Sequence, residues 1–233
     1  MNYFVTGTDT GVGKTLISCA LLYAFAARGK RVAGMKPVAA GCDEDGLNDD
    51  VKQLRAATNI FASLGQINPY SFIHPVAPHI AALNAGVSIN FGRILESYNE
   101  LAAQADVVIV EGAGGFQVPL NETQDSSDLA ISLGLPVIVV VGMRLGCLNH
   151  ALLTLRAIDD CGLSCAGWVA NLPDAGMAAL DENILALKQR IKAPLLGIVR
   201  HQPAPDARAA ALELDINLLY DSGPDKQQAD EPN

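Results

Sequence analysis

Gly7-Thr8-Asp9-Thr10-Gly11-Val12-Gly13-Lys14-Thr15 stands one residue after the short apolar run Tyr3-Phe4-Val5 and leads straight into Leu16 to Ala27. In that last segment Leu16/Ile17, Ala20/Leu21 and Ala24/Phe25 recur at helical spacing, and Gly29 is placed to end the helix. A strand, a glycine-rich turn, Gly-Lys-Thr and then a helix form the context in which a phosphate-binding loop is expected. Glycines let the backbone fold around an anion and aim several N–H groups at it, and the helix adds unpaired N–H groups and the positive end of its dipole. The spacing is irregular by one residue. G-x-x-x-x-G-K-[ST] would put glycine at position 8, where Thr8 stands, and the first glycine is Gly7. Read this way, Lys14 reaches the β- and γ-phosphates and the Thr15 hydroxyl holds Mg²⁺.

Working outward, the 233 residues are half apolar and only 18% charged, which suits one large α/β domain with a buried sheet. A single domain is expected over residues 1–221, with a disordered, apolar-poor tail over 222–233. The net charge of −9, without any run of Lys or Arg, argues against nucleic acid and against an anionic membrane as partner. Five cysteines without a C-x-x-C pair suggest reduced thiols in a cytoplasmic protein. No signal peptide is expected, and no apolar run reaches the ~18 residues of a spanning helix.

Strand and helix patterns alternate along the chain. Arg31 to Lys36 reads as a strand stopped by Pro37, Val38 to Asp49 as a loop, and a short helix is expected from Asp49 or Asp50 to Ala57. Residues 68–78, with three prolines, look irregular. Further helices are expected over Phe91–Gln104, Ser126–Leu133, Ala178–Ile191 and along the Leu148/Leu152/Leu155/Ile158 stripe. Strands are expected at Val107–Val110, Pro136–Val141, Cys165–Ala170 and Leu195–Val199. The predicted fold is a three-layer α/β protein with a mostly parallel central sheet flanked by helices, of the phosphate-loop kind.

Ligands of such sheets sit beyond the carboxyl ends of the strands. That rule selects Thr6 to Thr15, Lys36 with Pro37, Glu111 to Gly115, Gly142 onward, and Asn171. Glu111 ends a wholly apolar strand, where a buried carboxylate asks for a cation; a water-facing strand-end acid is the alternative. Lys36, the only charge between Val32 and Cys42, could neutralise developing phosphoryl charge, or simply be a solvated strand-end lysine. Asp49 and Asp50 fit a helix cap as well as a metal role. The start of a helix at Gly146-Cys147-Leu148-Asn149-His150 could receive a carboxylate, or Asn149 could merely cap it. The four histidines are scattered and suggest no metal.

Together these residues resemble the dethiobiotin synthetases, ATP-dependent cyclo-ligases of biotin synthesis. The matching segments are Tyr3 to Thr10 with Val12-Gly13-Lys14-Thr15, Gly34 to Val38, Pro78-His79, Val110-Glu111-Gly112-Ala113-Gly114-Gly115, Leu145-Gly146-Cys147 with Asn149-His150-Ala151, Gly167 to Asn171, and Ala193 to Gly197. The family's phosphate loop shares the longer spacing. The resemblance implies that a 7,8-diaminononanoate amine takes up CO₂ (or bicarbonate) as a carbamate, which attacks the γ-phosphate of ATP. The resulting anhydride then closes onto the second amine to give the ureido ring, ADP and phosphate. It assigns catalysis to Lys14, Lys36 and Thr10, and nucleotide binding to Asp9 through Thr15, Glu111, Gly112, Gly114 and Asn171, the last at the adenine edge. Mg²⁺ would be held by Thr15, Asp50 and Glu111. Substrate would meet Lys36, Ala40 and Gly115, with Gly146, Cys147 and Asn149 supplied by the neighbouring subunit of a homodimer.

Three positions depart from the family pattern: Gly11 where some members carry Glu, Ala40 where serine is common, and Ile198-Val199-Arg200 in place of an Ile-Pro pair. The competing reading is a nucleotide-switch ATPase of the partition or septum-positioning type. Such proteins carry an extra lysine early in the loop, and none precedes Lys14 here.

Overall fold

Val107-Val108-Ile109-Val110 offer water no polar side chain, and in the computed structural model, which describes residues 1–220, they form the fully buried strand β5 (Val107–Glu111). The proposed tail, 222–233, lies outside the described residues. Around β5 are β1 (Asn2–Gly7), β2 (Val32–Met35), β6 (Val137–Gly142), β7 (Cys165–Asn171) and β8 (Leu195–Val199). The sheet runs β2-β5-β1-β6-β7-β8, every pairing parallel, as the alternating pattern predicts.

Because side chains alternate across a strand, each central strand feeds two cores. Phe4, Val108, Val110, Val139 and Val141 face one; Tyr3, Val5, Val107, Ile109, Ile138 and Val140 face the other. The second core is closed by α1 (Lys14–Ala26) and α2 (Asp49–Ala57). The first is closed by α4 (Pro78–Asn84), α5 (Phe91–Ala102), α6 (Ser126–Leu133), α7 (Cys147–Asp160) and α8 (Leu180–Lys188), with the short α3 (Leu64–Ile67) packed at the end of α5. Helix α1 is apolar on nearly every side because α9 (Ala207–Ala211) and a 3₁₀ turn, Ile216–Leu219, cover its outer surface, Arg208 stacking over Tyr23 at 4.2 Å.

Several elements differ from the sequence expectation. The second strand ends at Met35, and the amide of Lys36 turns away to donate to Ile67 O at 2.8 Å. The expected loop at 38–49 opens with β3 (Val38–Ala40), which pairs in parallel with β4 (Tyr70–Phe72) inside the segment that looked irregular. Three-residue strands carry too little alternation to be seen locally; each exists because its partner lies some thirty residues away. Pro78, the last proline of that segment, starts α4, a position where its missing N–H costs nothing.

The outer edge of the sheet carries one pH-sensitive tie. The Arg31 amide and guanidinium donate to the Asp106 carboxylate at 2.9 and 2.8 Å, joining the entries to β2 and β5. The side-chain hydrogen bond from Arg31 holds the Asp106 carboxyl down at about 2. A carboxyl depressed in the folded state contributes stability above its ordinary range, and that contribution fades as pH falls from about 4 towards 2. Asp106→Asn should therefore be less stable than wild type at pH 6 and close to it near pH 2; urea midpoints at the two values test this.

Candidate active site

The carboxyl ends of β1, β2, β5, β6 and β7 bring the sequence-selected residues to one edge of the sheet. Gly13 caps α1 with φ of +90°, a left-handed conformation that glycine tolerates. A Cβ at that residue would lie 2.2 Å from Nδ2 of Asn171, which closes over the loop from the end of β7. That amide donates to Val12 O at 2.7 Å, and Asn171 is buried. The surplus residue of the loop is taken up against β6: Thr8 N donates to Val140 O at 3.0 Å, and Gly142 N donates to Thr8 Oγ1 at 3.3 Å. Asp9 accepts from Thr10 N at 2.7 Å and pairs with the guanidinium of Arg144. Its carbonyl accepts from Lys14 Nζ at 2.9 Å.

Next to the loop lies a buried charge cluster. Lys36 Nζ donates to Glu111 Oε1 at 2.6 Å, Asp50 Oδ2 at 2.9 Å and Gly112 O at 3.2 Å, using all three ammonium protons. Thr15 Oγ1 donates to the same Glu111 Oε1 at 2.9 Å. Lys36 and Glu111 are 4% and 0% exposed, so the ion pair is shielded from water on both sides. Burial works to lower the Lys36 ammonium, but Glu111 and Asp50 outweigh it and hold it above the usual lysine range. Burial likewise works to raise Asp50, and Lys36, with help from Thr15 and Lys14, holds it below the ordinary carboxylate range. Lys14 goes the other way: burial first, and the nearby Lys36 charge second, push it down to about 8. The cluster thus contains one ammonium that its acid neighbours hold charged and one whose charge burial and the neighbouring lysine disfavour. Cys19, one turn along α1 from Thr15, is pushed up to about 12 by burial and is no nucleophile.

The cap of α2 is Asn48, not Asp49 or Asp50. Its Oδ1 accepts from Asp50 N at 2.9 Å and so caps the helix, while its Nδ2 donates to Ala40 O and Gly41 O at 3.1 and 3.2 Å. The Asp50 carboxylate is thereby free to reach Lys36, whereas Asp49 is exposed and pairs with Lys52. Ala40, half-buried, ends β3 beside this cap. The turn after β5 lies on the phosphate loop: a Cβ on Gly114 would sit 3.5 Å from Thr10 Oγ1, and one on Gly115 3.8 Å from Gly7 O. Thr10 and Gly11 are exposed at the mouth.

Gly146, Cys147 and Asn149 do not join this cluster within the chain. Gly146 caps α7 in the left-handed region without any side-chain bond, so Asn149 is not a cap; it is exposed, and Cys147 is buried. Arg144 and Asn48 were missed from the sequence. Arg144 does fall in the stretch after β6 that the strand-end rule marked, but nothing local singled out its side chain; Asn48 precedes two aspartates that compete for the same assignment.

The sheet order, the Gly-Lys-Thr turn at the start of α1 and the acid at the end of β5 define a P-loop nucleotide-binding α/β protein. The MinD cell division protein of Aquifex aeolicus superposes with a TM-score of 0.55 over 96% of this chain and 99% of that one, at 15% identity, a likeness of fold alone. A family model described as an AAA domain matches residues 1–208. The ATP-dependent dethiobiotin synthetase BioD of Nitrosospira multiformis is 58% identical over 92% of this chain and 94% of the relative, and that of Aromatoleum aromaticum is 54% identical over 92% and 96%. The chain belongs to the family of ATP-dependent dethiobiotin synthetases.

Proposed function

We propose that this chain is a cyclo-ligase that closes the ureido ring of dethiobiotin from 7,8-diaminononanoate and CO₂ at the expense of ATP. The observation that carries the reading is the pairing of a compensated ammonium, Lys36, with an under-compensated one, Lys14, at a single buried site. A carbamate and a γ-phosphate repel each other, and joining them needs clustered positive charge in a place that excludes water. Lys14 meets the transferring phosphoryl group; Lys36 steadies the carbamate and the new anhydride until the second amine attacks. Thr10 lies at the mouth, where substrate enters above the loop. The backbone N–H groups of residues 9–15, with Gly112 and Gly114, cradle the phosphates. Asn171 reads the adenine edge from beside Val12. Ala40 and Gly115 line the substrate side.

Mg²⁺ fits this donor set. Among the described residues Glu111 Oε2 is buried without a hydrogen-bond partner, the Thr15 hydroxyl donates to the other oxygen of Glu111, and Asp50 shares the Lys36 ammonium with it. Few protein ligands, with the remainder left to phosphate and water, is how Mg²⁺ is bound at nucleotide sites. Thr15, Asp50 and Glu111 would hold it, and it would supply charge neutralisation for the phosphates.

The working unit is a homodimer in the cytoplasm, with Gly146, Cys147 and Asn149 of one subunit receiving the substrate carboxylate of the other. The start of α7, whose Gly146 cap offers no side-chain acceptor, supports that seat, and the fully exposed Leu145 and the exposed Leu153 near it support a covering subunit. Among the described residues no helix is long and apolar enough to cross a membrane.

Phosphate release measured with MgATP, bicarbonate and 7,8-diaminononanoate tests the reading: release should require the diamine, and release indifferent to it would reject the ligase in favour of a nucleotide switch. Asn171→Ala, which also loses the bond to Val12, should raise KM for ATP by about tenfold and blunt selection among ATP, GTP and CTP. Unchanged KM and selectivity would remove Asn171 from the adenine edge.

A further inference from the structure

The phosphate loop is one residue longer than the common spacing, and a longer loop has more ways to be wrong. Its N–H groups point at an anion only if the surplus residue is pinned, because a freely moving loop pays its ordering entropy each time nucleotide binds. The pins come from β6 and the residues just after it. Two are peptide groups of the sheet itself, Val140 O and Gly142 N, both bonded to Thr8. The third is a side chain: Arg144 Nη2 pairs with Asp9 Oδ2.

We propose that Arg144 is a positioning residue for the phosphate loop, acting through Asp9. Asp9 is the residue through which a pull on the loop would be felt most. One carboxylate oxygen accepts from Thr10 N at 2.7 Å, the other takes the guanidinium, and the carbonyl holds Lys14 Nζ at 2.9 Å. Arg144 is itself anchored at both ends. Met143 N donates to Asn171 O at 2.8 Å, and Arg144 O accepts from Cys147 N at 2.9 Å as the chain enters α7. Asn171 in turn grips Val12 O. The loop is therefore enclosed by a ring of bonds running Asp9, Arg144, Met143, Asn171, Val12, in which the ion pair is the only link made by charge. Both side chains of the pair are close to half exposed, 42% and 48%. Pairs that open to water add little to global stability, so the loss of this one falls on the aim of the loop and on nucleotide affinity, and the fold stands without it.

The proposal rests on residues 7–15 being the nucleotide's phosphate seat, and the experiment separates the two. Affinity for a non-hydrolysable ATP analogue with Mg²⁺ is measured by calorimetry on the full chain for wild type, Arg144→Met, Asp9→Asn, the double variant and Arg144→Lys, with melting temperatures alongside. Each single variant should bind about five- to tenfold more weakly, and the double variant no worse than either, because both break the same link. Arg144→Lys should recover part of the loss, a point charge replacing a fork. In turnover, KM for ATP should move more than kcat, and melting temperatures should stay at the wild-type value. Wild-type affinity in Arg144→Met, or losses that add in the double variant, would overturn the positioning role. A wild-type protein that does not bind the analogue would reject the phosphate seat itself.

Discussion

Lys14→Ala is expected to lower diamine-dependent phosphate release by about a thousandfold, the scale seen when a positioned charge or donor is removed from a developing anion. Its stability should move the opposite way. Lys14 is buried, donates to one carbonyl among the described residues, and is pushed down to about 8 by burial and Lys36, so the folded chain works to keep it charged at neutral pH. A lysine lowered on folding destabilises the native state wherever it stays protonated, and that penalty, on the order of a few kcal/mol, is present below about pH 8 and relieved as pH rises towards 10.5. Removing the side chain should thus leave the melting temperature at neutral pH unchanged or raise it, and the difference from wild type should shrink between pH 8 and 10. Loss of turnover with a stable fold is the signature of a group kept for chemistry. Near-normal phosphate release would reject the role, and a large drop in melting temperature would show that Lys14 holds the loop together instead.

Lys36→Met should have the second largest effect, and it should strike fold and activity at once. The ammonium is shared by Glu111 and Asp50, and without it Glu111, wholly buried, faces Asp50 with its hydrogen-bonded ion-pair partner gone and the Lys14 charge left nearby. Breaking a buried pair from one side costs about 3–5 kcal/mol. For a domain of this size that corresponds to roughly 10 °C in melting temperature. The same vacancy improves the site for a divalent cation, since a competing positive charge has gone. Mg²⁺ or Mn²⁺ without nucleotide should therefore raise the melting temperature of Lys36→Met by several degrees more than it raises that of wild type, while ligase turnover stays absent. Thermal unfolding with and without metal decides it: a variant as stable as wild type, or one blind to metal, would contradict the arrangement of charges around Glu111.

The two variants separate what could be read from sequence from what could not. Lys14, Thr15, Lys36 and Glu111 were legible because each follows an apolar run, and the geometry of parallel sheets sends such residues to one edge. Asp50 was ambiguous because two aspartates stood at a helix start; the tie is broken by Asn48, whose amide bridges β3 and α2, a contact between segments with no common period. Arg144 was invisible for a related reason, since its meaning lies in a partner 135 residues away. Asn171 was legible as a strand-end residue, while its grip on Val12 depends on β7 lying next but one to β1. In the fold, β3, β4 and α9 were missed because pieces of three to five residues owe their existence to tertiary contact rather than to pattern. The helix boundaries that were most nearly right, as at α6, carry their own caps: Asp125 accepts from Ser127 N and Asp128 N, and Gly134 closes the other end.

Labelled bicarbonate addresses the central claim most directly. Incubated with the protein, MgATP and 7,8-diaminononanoate, label should enter an acid-stable product one for one with ADP, because ring closure turns a labile carbamate into a urea. ATP consumed without label in an acid-stable product, or label incorporated without ATP, would contradict the account.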